Sequence, residues 1–161
     1  MDKSQFRELY DHSAKKVYNF VLWMVRNREA CEDIVQMAFT KAWQSDAPRD
    51  LNQAESWLLR ISRNLCIDFF RRQSRSVRFR LQYKNEIPLY SAAGQEKKFI
   101  WELLDKLKEE ERSILFLHLR MGHGYKEVAE IVGSSEAAVR VKAFRALKKL
   151  RKSLTKEFRY E

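Results

Sequence analysis

Tyr125-Lys126-Glu127-Val128-Ala129-Glu130-Ile131-Val132-Gly133-Ser134-Ser135-Glu136-Ala137-Ala138-Val139-Arg140-Val141-Lys142-Ala143-Phe144-Arg145 is the stretch on which the fold turns. Its spacing predicts a helix-turn-helix. Ala129 falls midway along a short helix, where two crossing helices leave room only for a small side chain. Gly133 follows where the turn needs positive φ. Ser135 offers a side-chain cap to the next helix, and Glu136 in the first turn complements the helix dipole. Val139 is placed to fill the space between the helices, with Val128, Ile131 and Val132 around it.

If Val139, Ala143, Ala146 and Leu150 face inward, the outer face carries Arg140, Val141, Phe144, Arg145 and Lys148. These are the candidate DNA-reading residues. Arginine can pair bidentately with guanine, and lysine meets phosphate. The same helix holds no acidic residue between Ala137 and Lys156, whereas Glu109, Glu110 and Glu111 cluster earlier. A basic helix alone fits a solvated bundle surface equally well; the Ala129, Gly133 and Val139 triple favours DNA.

The rest of the chain is read outward from this motif. Upstream, Phe99, Ile100, Leu103, Leu104 and Leu107 form one helical stripe, and Ile114, Leu115, Leu117, His118 and Met121 form the next. At the other end, Phe6, Leu9, Tyr10, Val17, Phe20, Val21 and Met24 make an amphipathic first helix. Cys31, Ile34, Val35, Ala38 and Ala42 repeat the period in a second. Ser45 to Asn52 reads as loop, and Ser56 is the expected cap of a third helix with Trp57, Leu58, Ile61, Leu65 and Phe69 on one face. Between the two groups, Ser74, Ser76, Pro88, Ser91 and Gly94 alternate with Arg75, Arg78, Arg80 and Lys84, which reads as a basic linker. The expected fold is therefore all-α: two small helical domains at 1–73 and 97–161, joined by a linker at 74–96.

Composition agrees. The chain has 161 residues, with only 4 Gly and 2 Pro, which excludes a turn-rich β-sandwich and a low-complexity protein. A net charge of +10 favours a polyanionic partner. The longest uncharged apolar run, Val17 to Val25, is far below the roughly 20 residues of a membrane span, so no membrane insertion is expected. The start lacks the basic-then-apolar pattern of a secretory signal, and Cys31 and Cys66 are not a Cys-x-x-Cys pair. A cytoplasmic protein with reduced cysteines is expected.

An enzyme is disfavoured: His12, His118 and His123 lack metal-ligand spacing, and no Ser or Cys nucleophile is paired with a base. No cofactor or metal is expected, and His118 reads as a satisfied core histidine. A membrane-surface helix is disfavoured because Ala138, Ala143 and Ala146 suit helix packing better than lipid. A stand-alone helix-turn-helix regulator remains the alternative; no dimerisation helix is evident for it.

In the second helix, Asp33, Gln36 and Thr40 share an exposed strip with Glu29 and Glu32 beside it, an acidic spot suited to a basic protein surface, although on the residues alone an ordinary solvated helix face is favoured. Here the sequence resembles the extracytoplasmic-function (ECF) group of bacterial RNA polymerase sigma factors, in the sigma-70 family. Glu32-Asp33-Ile34-Val35-Gln36, then Phe39 and Trp43, is similar to that group's helix for the β′ clamp helices. Trp57-Leu58, Arg60-Ile61, Arg63-Asn64, Ile67-Asp68 and Arg71-Arg72 are similar to its promoter-melting and −10-reading segment. Gly124 to Ala146 resembles its −35-reading helix-turn-helix. Met37 stands where the group usually has glutamate, Ala137-Ala138 where it has Gly-Thr, and Val141 where it has serine.

The resemblance implies core RNA polymerase, promoter DNA and an anti-sigma factor as partners. It implies that Asp33, Gln36 and Phe39 hold the β′ clamp. Arg60, Arg63, Asn64, Arg71 and Arg72 meet −10 DNA, with the Ser45 to Glu55 loop as wall of a pocket for an unstacked base. Trp57 is weighed as a core aromatic. Arg140, Val141, Phe144, Arg145 and Lys148 enter the −35 major groove while the second domain sits on the β flap. The linker threads the polymerase's RNA path.

Overall fold

Asp2 starts the first helix, α1 (Lys3–Val25), through a reciprocal capping box. Gln5 N donates to Asp2 Oδ1 at 2.9 Å, and Asp2 N donates to Gln5 Oε1 at 3.3 Å. The computed structural model of the chain describes residues 1–76 and 102–158, the side chains of 157 and 158 apart. It divides into two units, Met1–Glu86 and Ile87–Glu161.

In the first unit, α1 ends at Arg26, a non-glycine residue at φ 55° whose N–H returns to Leu22 O at 2.8 Å. Asn27 then caps α2 (Arg28–Trp43), accepting from Ala30 N at 2.9 Å. Two residues therefore join two helices. A left-handed arginine costs on the order of 1 kcal/mol, and that tight joint is what the cost secures.

The third helix, α3 (Leu51–Arg75), begins earlier than expected. Its cap is Asp50, which accepts from Gln53 N at 2.9 Å; Ser56 lies inside the helix. The polar run Asn52-Gln53 imitates a loop, but Ala54 and Glu55 are both buried, and that burial draws the chain into helix sooner. The loop is accordingly shorter than the expected Ser45 to Glu55 wall, because Leu51 to Glu55 belong to α3. At its far end α3 runs through Gln73, Ser74 and Arg75, which the sequence places at the start of a linker.

α1 packs against both α2 and α3, and α2 against α3. Phe20, Met24, Val17, Val21, Ile34, Leu58 and Leu59 form the core. Glu55 is a carboxylate buried beside them. It is 6% exposed and accepts from Lys16 Nζ at 2.7 Å, with His12 Nε2 at 2.9 Å. This clamps α1 to α3. Glu55→Ala should lower the stability of this unit by about 1–3 kcal/mol, read from denaturant unfolding, and Lys16→Met by less because Lys16 is half in water.

Both cysteines are buried, and neither is in a disulfide. Burial, with the Glu32 charge adding to it, pushes the Cys31 thiol up from 9.0 to about 12. Cys31 should therefore resist alkylation at pH 8 until the chain is unfolded, as mass spectrometry would show. The unfolded thiol ionises first as pH rises. Its contribution to stability is whole below pH 9 and declines between 9.0 and about 12.

In the second unit, residues 102–105 form a helical turn, and Leu103, Leu104 and Leu107 are buried as their stripe predicts. Phe99 and Ile100 of that stripe, and the linker's Arg78, Arg80 and Lys84, lie outside the described residues. α4 (Glu109–Leu115) runs straight into a π-helical turn, Phe116–Arg120. α5 (Tyr125–Val132) and α6 (Glu136–Phe158) follow. Gly133 at φ 69° makes the turn between them. Ser135 Oγ accepts from Ala138 N at 3.1 Å as the expected cap. Val139, Ala143 and Ala146 are buried against Val128, Ala129, Ile131 and Val132; Leu150 is only half-buried.

Candidate nucleic-acid and protein interfaces

The outer face of α6 follows from its buried face. With Val139, Ala143 and Ala146 turned inward, Arg140, Val141, Phe144, Arg145 and Lys148 are all exposed. Phe144 is 68% exposed and Val141 47%, large apolar groups in water on an otherwise basic face. Such groups fit the methyl of thymine, and the arginines beside them fit guanine.

Not every base of this helix faces outward. Lys142 Nζ donates to Glu110 Oε1, and Lys149 Nζ to Glu111 Oε1, each at 2.7 Å. The acidic cluster on α4 thus ties α6 down and sorts its cations into structural and outward-facing sets. Arg140 is outward but engaged: it donates to Glu136 Oε1 from Nη2 at 2.8 Å and from Nε at 3.3 Å. His118 is half-buried, and its Nδ1 donates to His123 O at 2.8 Å, the satisfied state expected of it.

On α3, Arg60, Asn64 and Arg71 fall along one face, and they and Arg72 are exposed. Arg63 and Trp57 are half-buried, so this arginine and this indole stand partly within the helix packing. Arg71 Nη1 lies 3.5 Å from Asp68 Oδ1, an exposed pair one turn apart that offers little resistance to a phosphate competitor.

On α2, Glu29, Glu32, Asp33, Gln36 and Thr40 are exposed, as the periodicity predicts. Phe39 is not. It is 6% exposed and held by Tyr10 at 4.9 Å and Phe6 at 6.1 Å between ring centroids. Phe39 lies one turn from Val35 on the edge of the apolar stripe, and the α1 aromatics close over it.

Those aromatics make a groove that the sequence did not disclose. It holds about 470 Å³ between α1 and α2, lined by Phe6, Tyr10, Val35, Gln36, Phe39 and Trp43 among others. Tyr10 is 48% and Trp43 45% exposed, and Trp43 stands edge-on to Phe6 at 5.1 Å. Period alone puts Tyr10 on the apolar stripe of the first helix. The available signal was the i, i+4 repetition of aromatics on both helices, Phe6 with Tyr10 and Phe39 with Trp43. Met37 is 44% exposed, on the surface of α2. An apolar trough with Glu32 in its wall and the exposed Glu29 and Asp33 on the same helix, in a chain of charge +10, fits an amphipathic basic protein surface better than DNA.

Comparison with known proteins places both units. The family model described as "Sigma-70 region 2" matches residues 9–76, and that described as "Sigma-70, region 4" matches residues 100–150. The chain is 31% identical over 152 residues to RNA polymerase sigma factor SigV of Bacillus subtilis (strain 168), covering 91% of this chain and 89% of that one. It is 28% identical over 164 residues to ECF RNA polymerase sigma factor SigX of the same organism, covering 92% and 83%. Among solved structures it is similar to the sigma factor RpoE in complex with the anti-sigma factor NepR from Bartonella quintana. The TM-score there is 0.73 at 22% identity, over 93% of this chain and 96% of that one.

Proposed function

The chain belongs to the sigma-70 family, in its ECF group, and from that premise we propose a division of labour among the surfaces described above. The protein binds core RNA polymerase and directs promoter-specific initiation by reading −10 and −35 elements. It supplies specificity to an enzyme and performs no chemistry itself. The observation that carries the assignment of surfaces is the segregation of charge: an exposed acidic strip on α2 beside an apolar groove, against cationic outer faces on α3 and α6.

The α2 face, through Asp33 and Gln36, docks on the β′ clamp helices. Phe39 acts from beneath, as floor of the groove. On α3, Arg60, Arg63, Asn64, Arg71 and Arg72 meet −10 DNA. Arg140, Val141, Phe144, Arg145 and Lys148 of α6 enter the −35 major groove while that unit rests on the β flap. Each module alone binds weakly; joined on polymerase, each raises the effective concentration of the other. Units 1–73 and 97–161, with the tether between them, are the working parts of this reading.

An anti-sigma factor is proposed as a further partner. The solved relatives at TM-scores of 0.73 and 0.70 are a sigma factor with the anti-sigma factor NepR and CnrH with the cytosolic domain of CnrY. An apolar groove of this kind would otherwise stand open in water between rounds of initiation. The place of action is the cytoplasm, where polymerase works. Among the described residues no helix is long and apolar enough to cross a membrane.

Gel filtration with and without core polymerase tests the reading. A monomer that co-elutes with polymerase supports it. A dimer that ignores polymerase and binds near-palindromic DNA supports the stand-alone regulator instead.

A further inference from the structure

Tyr125 is the first residue of α5, and its ring contacts two groups from other elements. On one face His118, from the π-helical turn, stacks at 4.1 Å between centroids with 18° between planes. The Arg140 guanidinium carbon lies 4.8 Å from the ring centroid. One tyrosine ring thus contacts both an imidazole and a guanidinium. The imidazole is itself fixed, since its Nδ1 donates to the His123 carbonyl at 2.8 Å.

Arg140 is thereby restrained from two directions. Tyr125 supports the plane of the guanidinium, and Glu136 Oε1 takes the Nε and Nη2 donors at 3.3 and 2.8 Å. The Nε edge is occupied. What faces away is the end of the fork, Nη1 and the second hydrogen of Nη2. A long side chain normally loses rotamer freedom when it reads a base; one already held loses less on binding.

We propose that Tyr125 is a positioning residue for −35 reading: backed by His118, it sets the plane and reach of Arg140 so that this arginine meets a guanine end-on, through Nη1 and Nη2. This rests on the assignment of α6 to the −35 groove. It gives Tyr125 a task its own exposure would not suggest. The ring acts through Arg140 and need not touch DNA.

The test uses the full chain with core polymerase, in run-off transcription from promoters that differ at single −35 base pairs. The variants are Arg140→Ala, Tyr125→Leu, Tyr125→Phe and the Tyr125→Leu/Arg140→Ala double. Arg140→Ala and Tyr125→Leu should each lower discrimination about tenfold, at the same one base pair. Tyr125→Phe should match the parent, because the ring face is kept. The double should be no worse than Arg140→Ala. The salt dependence of promoter binding by Tyr125→Leu should stay at the parent slope, showing a folded unit with its phosphate contacts intact. His118→Ala, which leaves both partners in place, should lose about threefold at that base pair.

Parent-like discrimination by Tyr125→Leu or His118→Ala, beside a loss in Arg140→Ala, overturns the positioning role alone. So does a Tyr125→Phe loss equal to that of Tyr125→Leu, which would point to the hydroxyl. Undiminished discrimination by Arg140→Ala overturns the reading of Arg140 itself, and the positioning role with it.

Discussion

Arg145→Ala should cut transcription from −35-dependent promoters by about tenfold to a hundredfold while leaving affinity for core polymerase unchanged. Arg145 is exposed on α6, one turn on from Val141 and beside Phe144 on the outer face. Ala146, its neighbour, is fully buried, so the helix is held by other residues and the truncation leaves the unit folded. A bidentate arginine–guanine pair discriminates by about 1–3 kcal/mol, and that range sets the expected loss. In the proposed assignment Arg145 faces DNA rather than the β flap, and the clamp contact is on the other unit, so polymerase affinity should not respond. Matched promoters with and without a −35 element, assayed beside a polymerase-binding titration, separate the two effects.

Asp33→Ala should do the reverse. Affinity for core polymerase should fall about tenfold, and transcription should fall at every promoter alike, whatever its −35 sequence. The carboxylate is exposed on the acidic face of α2, so its loss removes charge complementarity without opening the core. Phe39 is the wrong residue for this purpose. It is buried under Phe6 and Tyr10, and truncating a buried phenylalanine costs about 3–5 kcal/mol, which would unfold the unit before it tested the interface. Equal failure of Arg145→Ala and Asp33→Ala in both assays would dissolve the proposed division of labour.

Much of this was legible in the sequence because helices write their inward faces at a fixed period. The helix-turn-helix is the clearest case. Ala129, Gly133, Ser135 and Val139 each have one geometric reason to stand where they do, and Gly133 at φ 69° and the Ser135 cap follow from it. The first two helices were likewise legible, down to the exposed Asp33, Gln36 and Thr40 strip.

What escaped was long-range or degenerate. Asp50 and Ser56 are comparable caps, and only the burial of Glu55 against Lys16 and His12 decides between them. The left-handed Arg26 has no local signature. The groove on α2 needs two helices to form, and period alone sends Tyr10 to the core rather than to its rim. Lys142 and Lys149 look like every other cation on α6 until Glu110 and Glu111 are brought across from α4. Charge patterning finds a basic helix; packing decides which of its cations are left for DNA.

Run-off transcription with purified core polymerase on a promoter library, with and without this chain, tests the central claim most directly. New transcripts should start from a discrete subset of templates only when the chain is added, and that subset should share two short elements upstream of the start. Core polymerase that initiates identically in the presence and absence of the chain would contradict the account.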